Sequence, residues 1–197
     1  MYGGNKQPNR YVSGSVTEDQ RYLAIYAGQN TSGRQLYIQD LSVPGSKPIK
    51  IQGDYFARAS VITNKNKIFY LYTNIKAPNG RIVSVDLSSP NIWKDVVSET
   101  ENVMYPSSGG GNLFIRYLVD AKSQIMQFDL NGKIIREIEL PAIGSAYGFS
   151  AKEDEDDLYY SFSSYTYPST IFNYNIESGE KQFHSMYSQP PSFQKRS

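Results

Sequence analysis

LYIQDL at 36–41 returns as IVSVDL at 82–87, IMQFDL at 125–130 and IFNYNI at 171–176. Their starts lie 46, 43 and 46 residues apart. A second series runs just upstream: YLAIYA at 22–27, IFYLYT at 68–73, LFIRYL at 113–118 and LYYSFS at 158–163, with steps of 46, 45 and 45. Two series sharing one period mark an internal repeat. Each copy is strand-sized, rich in aromatic and β-branched residues, and bounded by turn residues. A period in the mid-forties built from such strands is the pattern of β-propeller blades. The chain is therefore expected to be all-β, with about four four-stranded antiparallel blades.

Working outward from the two series, the strands are predicted at 11–16, 21–27, 34–40 and 48–51 in the first repeat. The second repeat gives 55–62, 67–73, 80–86 and 93–97, and the third 102–106, 112–119, 123–129 and 134–139. The fourth gives 146–151, 157–163, 170–176 and 181–186. The blades span about 10–52, 53–100, 101–142 and 143–187, after an N-terminal segment 1–9 and before a linker-like tail 188–197. Asn131-Gly132 is a strong hairpin signal after the third copy of the motif, and Pro78-Asn79-Gly80 plays the same part before IVSVDL. Gly109-Gly110-Gly111 precedes a strand and lacks a following Lys-Ser or Lys-Thr, so it reads as a turn and not as a phosphate loop. No segment of ten residues shows a helical period.

Composition removes several function classes. The 197 residues include 20 Lys plus Arg against 19 Asp plus Glu, a net charge of +1, which gives no electrostatic case for a nucleic acid or an anionic membrane as partner. There is no cysteine, which excludes disulfides, thiol catalysis and zinc–thiolate sites. The longest apolar runs, such as Ile68 to Tyr72, fall far short of the roughly 18–20 residues of a membrane helix. The polar start MYGGNKQPNR has no signal-peptide core. A soluble chain is expected, with the compartment left open between cytoplasm and periplasm. The 27 aromatic residues, 17 of them Tyr, are what stacked sheets require. Asn30-Thr31-Ser32 has the form of a glycosylation triplet, which is common by chance.

Catalytic chemistry is hard to find. A hydrolase nucleophile elbow reads G-x-S-x-G, and the nearest match, Gly144-Ser145-Ala146-Tyr147-Gly148, has alanine at its centre. His184 is the single histidine, on an outer-strand segment, so multi-histidine metal sites are impossible. The acidic run Glu153-Asp154-Glu155-Asp156-Asp157 lacks the spaced ligands and glycine of a calcium loop and reads as a solvated turn. No catalytic residue, metal or cofactor is expected in this chain.

The third and fourth repeats resemble the last propeller blades of the prolyl oligopeptidase (prolyl endopeptidase) family of serine peptidases. YLVDAKSQIMQFDLNGK at 117–133 is similar to that family's strand, Asp-Ala-like turn, strand and Asp-Leu-x-Gly order. YGFSAKEDEDDLYYSFSSYTYPSTIFNYNI at 147–176 is similar to the blade that follows, and VTEDQRYLAIY at 16–26 to the opening of a middle blade. The resemblance implies the C-terminal part of a seven-bladed propeller that sits over an α/β-hydrolase domain. In that arrangement the hydrolase carries Ser, Asp and His, and the propeller limits access to short peptides cut after proline. The hydrolase domain of the same parent chain and short proline-containing peptides are then the implied partners. The resemblance also implies an arginine near the start of a middle-blade strand that approaches the substrate cavity, matched here by Arg34 or Gln35.

A different class of function is a stand-alone binding or scaffolding propeller that completes its ring by self-association. Its flanks would be bared around Tyr22 to Tyr26 and Leu36 to Ile38 at one end, and around Tyr159 to Phe162 and Phe172 to Tyr174 at the other.

Overall fold

The computed structural model describes residues 11–29 and 33–186. The segment 1–9, the triplet Asn30-Thr31-Ser32 and the tail 188–197 lie outside the described residues. Among those described there are sixteen strands and no helix, so none is long and apolar enough to cross a membrane.

The strands form four antiparallel four-stranded sheets, each a simple meander in chain order. The first contains β1 (Tyr11–Val16), β2 (Tyr22–Gly28), β3 (Arg34–Asp40) and β4 (Ile49–Gln52). The second contains β5 (Ala59–Lys65), β6 (Ile68–Thr73), β7 (Arg81–Asp86) and β8 (Trp93–Val97). The third contains β9 (Met104–Gly109), β10 (Asn112–Val119), β11 (Lys122–Phe128) and β12 (Ile134–Ile138). The fourth contains β13 (Ser145–Tyr147), β14 (Asp157–Ser163), β15 (Thr170–Asn175) and β16 (Lys181–Met186). This is the all-β blade architecture that the repeats predict, and the two sequence series form the second and third strands of every sheet.

The turn residues explain why the hairpins close where they do. β10 and β11 join through Asp120 and Ala121, both at positive φ, and Val119 pairs directly with Lys122. The Asp or Asn near the end of each LYIQDL-type motif has a common task. The backbone N–H groups of Ser42, Ser88 and Asn131 donate to Oδ1 of Asp40, Asp86 and Asp129 at 3.0, 2.7 and 2.8 Å. Asn175 Oδ1 accepts from Ser178 N at 2.9 Å in the fourth copy. The repeated side chain is a turn acceptor that starts the path to the fourth strand. These bonds hold the carboxyls below the usual range, led by the Ser42 hydroxyl for Asp40 and the Ser88 N–H for Asp86.

The first strands depart most from expectation. β5 begins at Ala59 instead of 55, because Asp54 receives the Phe56 N–H in a local turn and a bulge at Val61/Thr63 carries the strand on to Lys65. β9 is displaced to Met104–Gly109. β13 stops at Tyr147: Gly148 has φ +98°, and the Ala151 N–H bonds to Ser108 O instead of extending the strand.

The described chain divides into two compact units: residues up to Pro106 with Asp129–Lys133, and Ser107–Phe128 with the residues from Ile134 on. In the first, alternate side chains of the first two sheets share one core. Tyr22, Ala24, Leu36 and Ile38 meet Phe69, Leu71, Val83 and Val85, and the Tyr22 and Phe69 rings cross edge to face at 5.1 Å. In the second, Phe114, Ile125 and Ile138 join Phe149, Leu158, Tyr160, Phe162, Phe172 and Tyr174.

This packing corrects the expected bare flanks. Tyr22, Leu36 and Ile38 are fully buried against the second sheet, and Phe162, Phe172 and Tyr174 are buried in the second unit's core. Strand alternation puts them on the inward face, so of the residues delimiting the last flank only Tyr159 stands out in solvent, at 51% exposure.

Candidate functional site

Arg34 opens β3, and Gly33 before it fixes how closely that strand approaches the connection 53–58. A Cβ on Gly33 would sit 2.4 Å from Tyr55 O and 2.5 and 2.6 Å from Ala57 N and O. The neighbouring Arg34 N–H donates to Ala57 O at 3.1 Å. Backbone meets backbone here, so no side chain can swing aside. Gly33→Ala is expected to destabilise the chain by about 1–3 kcal/mol, the range for overpacking, and to part β3 from the 55–57 segment. Urea unfolding checks the first effect, and faster amide exchange at Arg34 checks the second.

The strand pleat sends Arg34 and Gln35 in different directions. The Arg34 guanidinium lies over the Tyr26 ring, 4.4 Å from its centroid, and its Nη2 donates to Ser60 Oγ at 2.9 Å. The Tyr26 hydroxyl in turn accepts the Val61 N–H at 3.1 Å. Ring and guanidinium are thus both tied to the start of β5. Gln35 instead donates its Nε2 to Gly53 O at 2.8 Å and accepts from the Tyr37 and Tyr55 hydroxyls at 2.9 Å each. It ties the 53–55 connection to β3.

Arg34 lines a cleft of about 750 Å³ within the first unit, and Gln35 does not. Tyr11, Ser13, Tyr26, Gln29 and Arg58 share that cleft. Two guanidiniums, two phenols, a hydroxyl and an amide set polar groups on its largely apolar, aromatic walls. Sequence reasoning missed Arg58 and Tyr11. They lie far from Arg34 along the chain, and no local motif links the three.

The other sequence candidates resolve simply. Ala146, at the centre of the elbow-like pentad, is buried in β13 with its N–H on Ser123 Oγ at 3.1 Å. Ser145 is therefore a strand residue and not a nucleophile on a strand-to-helix turn. His184 is exposed on β16, its ring edge-on to Tyr159 at 5.0 Å. It is the extra residue of a bulge, since Ile171 pairs with Ser185 and Phe172 with Phe183. The acidic run forms the exposed turn into β14. Glu155 Oε2 accepts the Lys152 N–H at 2.8 Å, and Asp157 Oδ1 accepts from Asn175 Nδ2 at 3.1 Å. Among the described residues no group of three or more His, Asp or Glu is placed to hold a metal ion.

The comparisons with known proteins agree with this architecture. The family model described as prolyl oligopeptidase, N-terminal beta-propeller domain, matches residues 1–186. Prolyl endopeptidase from Elizabethkingia miricola is 43% identical over 184 residues, covering 92% of this chain and 26% of that protein. The prolyl endopeptidase from Elizabethkingia meningoseptica is 41% identical with the same coverage. A structure solved in work on two prolyl endopeptidases and the role of inter-domain dynamics in catalysis and specificity superposes with a TM-score of 0.84 at 28% identity. That match covers 92% of this chain and 27% of that one. Prolyl oligopeptidase B from Galerina marginata, at 20% identity, shares the fold with a TM-score of 0.85 over 94% of this chain and 28% of its own. The chain thus spans about a quarter of the length of the curated relatives it matches. Four meander sheets on a mid-forties repeat, matched along nearly their whole length by one family, place the chain in the prolyl oligopeptidase family, in its N-terminal β-propeller domain.

Proposed function

We propose that this chain is the non-catalytic gate of a proline-specific serine endopeptidase: a propeller portion, with blades at about 10–52, 53–100, 101–142 and 143–187, that sits over a hydrolase domain and admits only short peptides. The observation that carries this reading is the family match along residues 1–186, joined to the chain's share of 26% of prolyl endopeptidases whose remaining length it does not match. The chemistry of the described residues supports it. Ala146 takes the place of an elbow nucleophile, and His184 faces a phenol ring. The physical logic of a gate is exclusion. A rigid ring over a cavity lets a thin extended chain pass and stops a folded one, so selectivity comes from access instead of binding energy. Arg34 then stands beside the path of the peptide, and Gln35 holds the loop next to it.

The test uses the parent peptidase that contains this chain. A short proline peptide and a folded protein displaying the same sequence in a surface loop are offered to it. We expect the peptide to be cut and the folded protein to stay intact, and we expect deletion of 101–142, which opens the array, to abolish that discrimination. Equal cleavage of both substrates by the intact peptidase would refute the gate. The 197-residue chain by itself is expected to hydrolyse neither substrate, and His184→Ala to change nothing.

A further inference from the structure

β1 (Tyr11–Val16) is the edge strand of the first sheet, and among the described residues nothing pairs with its outer side. Its ladder with β2 shows which groups are left over. The Thr17 N–H donates to Tyr22 O at 2.9 Å, so the hydrogen-bonded pairs before it are Ser15 with Ala24, Ser13 with Tyr26 and Tyr11 with Gly28. β2 turns its alternate residues to β3, beginning with the Leu41 N–H on Arg21 O at 2.7 Å. The N–H and C=O groups of Val12, Gly14 and Val16 therefore point away from the sheet. Such a row of donors and acceptors is a template for another strand.

Four sheets have eight edges, and the other seven are blunted. The last strand of each sheet carries Lys50, Lys94, Arg136 or Lys181, and its pairing contains a bulge. At the opposite edges, β5 has a bulge and ends in Lys65, β9 contains Pro106, and β13 is three residues long. Charge, proline, bulges and short length are the means by which sheet edges are kept from pairing. YVSGSV in β1 has no charge and no proline, and its six pairs with β2 run without a bulge. Ser13, Gly14 and Ser15 also keep the middle of the strand slim.

A cleft of about 750 Å³ adjoins this strand, with Tyr11 and Ser13 on its wall. That bounded space takes a thin extended segment of a few residues, and not the edge of a second sheet. We propose that β1 receives a peptide as an added strand, paired backbone to backbone with Val12, Gly14 and Val16. The inference rests on the peptide-passage reading above and supplies its mode of recognition. Backbone pairing accepts many side chains, and it accepts a proline wherever the missing N–H faces away from β1.

The experiment follows amide exchange of the 197-residue chain by NMR while a blocked peptide, acetyl-Thr-Val-Ala-Pro-Val-Thr-amide, is added. The Val12, Gly14 and Val16 amides are expected to slow about tenfold when the peptide reaches about ten times its Kd. Ser13 and Ser15, already bonded to β2, should change little, so protection alternates along the strand. The fully N-methylated peptide, which cannot join a ladder, should protect none of them. Val16→Pro removes one outward N–H where the ladder with β2 uses none, and should weaken binding about tenfold. Val16→Thr keeps that N–H and should keep the affinity. Val12→Pro makes the same test at the other end of the strand, and slow exchange at Ser13 and Ser15 verifies that β1 stays paired in each variant. Unchanged rates at all three outward amides with the peptide at about 5 mM would overturn the added strand. So would full protection in the free chain, which would give the edge to residues 1–9. Protection that rises with chain concentration alone would give it to a second copy and overturn the proposal equally. None of these results bears on the size discrimination of the parent peptidase, which decides the gating reading separately.

Discussion

Tyr160→Ala is expected to destabilise the second unit by about 3–5 kcal/mol, the range for emptying an aromatic site in a packed core. Tyr160 is only 1% exposed and lies between two rings. Phe149 stacks on one side at 4.7 Å between centroids with planes 17° apart, and Phe172 on the other at 5.3 Å and 18°. Removing the middle ring leaves each neighbour without a partner on that face, although Phe149 keeps Phe114 and Phe172 keeps Tyr167. The backbone around it is pinned by the β14–β15 ladder, where Tyr160 pairs with Phe172, so the gap cannot close by collapse. The urea midpoint followed by far-UV circular dichroism measures the loss. A change below 1 kcal/mol would mean that the ladder relaxes around the gap.

Tyr160→Phe separates the ring from its hydroxyl. The hydroxyl is buried and has no hydrogen-bond partner among the described residues. Its removal at neutral pH should therefore be neutral or slightly stabilising. The pH dependence adds a second signature. Burial, reinforced by the neighbouring Tyr167 and Tyr174, pushes the phenol up to about 12. Below pH 10 the group is neutral folded or unfolded and contributes nothing to the slope. As pH rises from 10 towards 12, the unfolded chain's phenol ionises and the folded one does not, so the wild type loses about 2–3 kcal/mol over that window. Tyr160→Phe should lack this part of the alkaline loss.

Gln127→Leu is the second large effect, expected at about 2–3 kcal/mol. Gln127 is buried in the third copy of the motif, where the other three copies have Ile38, Ser84 and Asn173. Its Oε1 accepts the Tyr174 hydroxyl at 2.8 Å, and its Nε2 donates to Ile176 O at 3.0 Å. A leucine fills the space but strands both partners away from water. Adding Tyr174→Phe removes one stranded group, so the double variant should recover part of the loss. A cycle over the four chains reads the coupling directly. Strict additivity of the two single variants would show that the bond between Gln127 and Tyr174 carries no net stability.

How far these features could be read in advance follows from their range along the chain. The second and third strands were legible because each carries its own alternation, and because four copies repeat the same answer. The Asx acceptors at 40, 86, 129 and 175 were visible as letters of the motif, though their hydrogen bonds to the following turn were not. The first strands were read poorly. β13 is only three residues long, and a single positive-φ glycine ends it. The burial of Tyr22, Leu36, Phe162 and Tyr174 was also misassigned. Alternation says that successive residues face opposite ways, but not which face meets the adjacent sheet.

The cleft shows the same division more sharply. Arg34 was legible as a residue to watch through the family resemblance, and Gln35 could not be distinguished from it. The pleat separates them: one lines the cleft and the other binds Gly53, Tyr37 and Tyr55. Arg58 joins Arg34 only because Gly33 lets two stretches of backbone touch. By itself the sequence determined the sheet-forming repeat, the all-β class and the lack of an elbow serine, since periodicity and residue type are local properties. Only the tertiary structure decided which faces are buried, which two arginines share a wall and which tyrosine hydroxyls find partners. Those outcomes depend on contacts between residues tens of positions apart, whose energies no local pattern records.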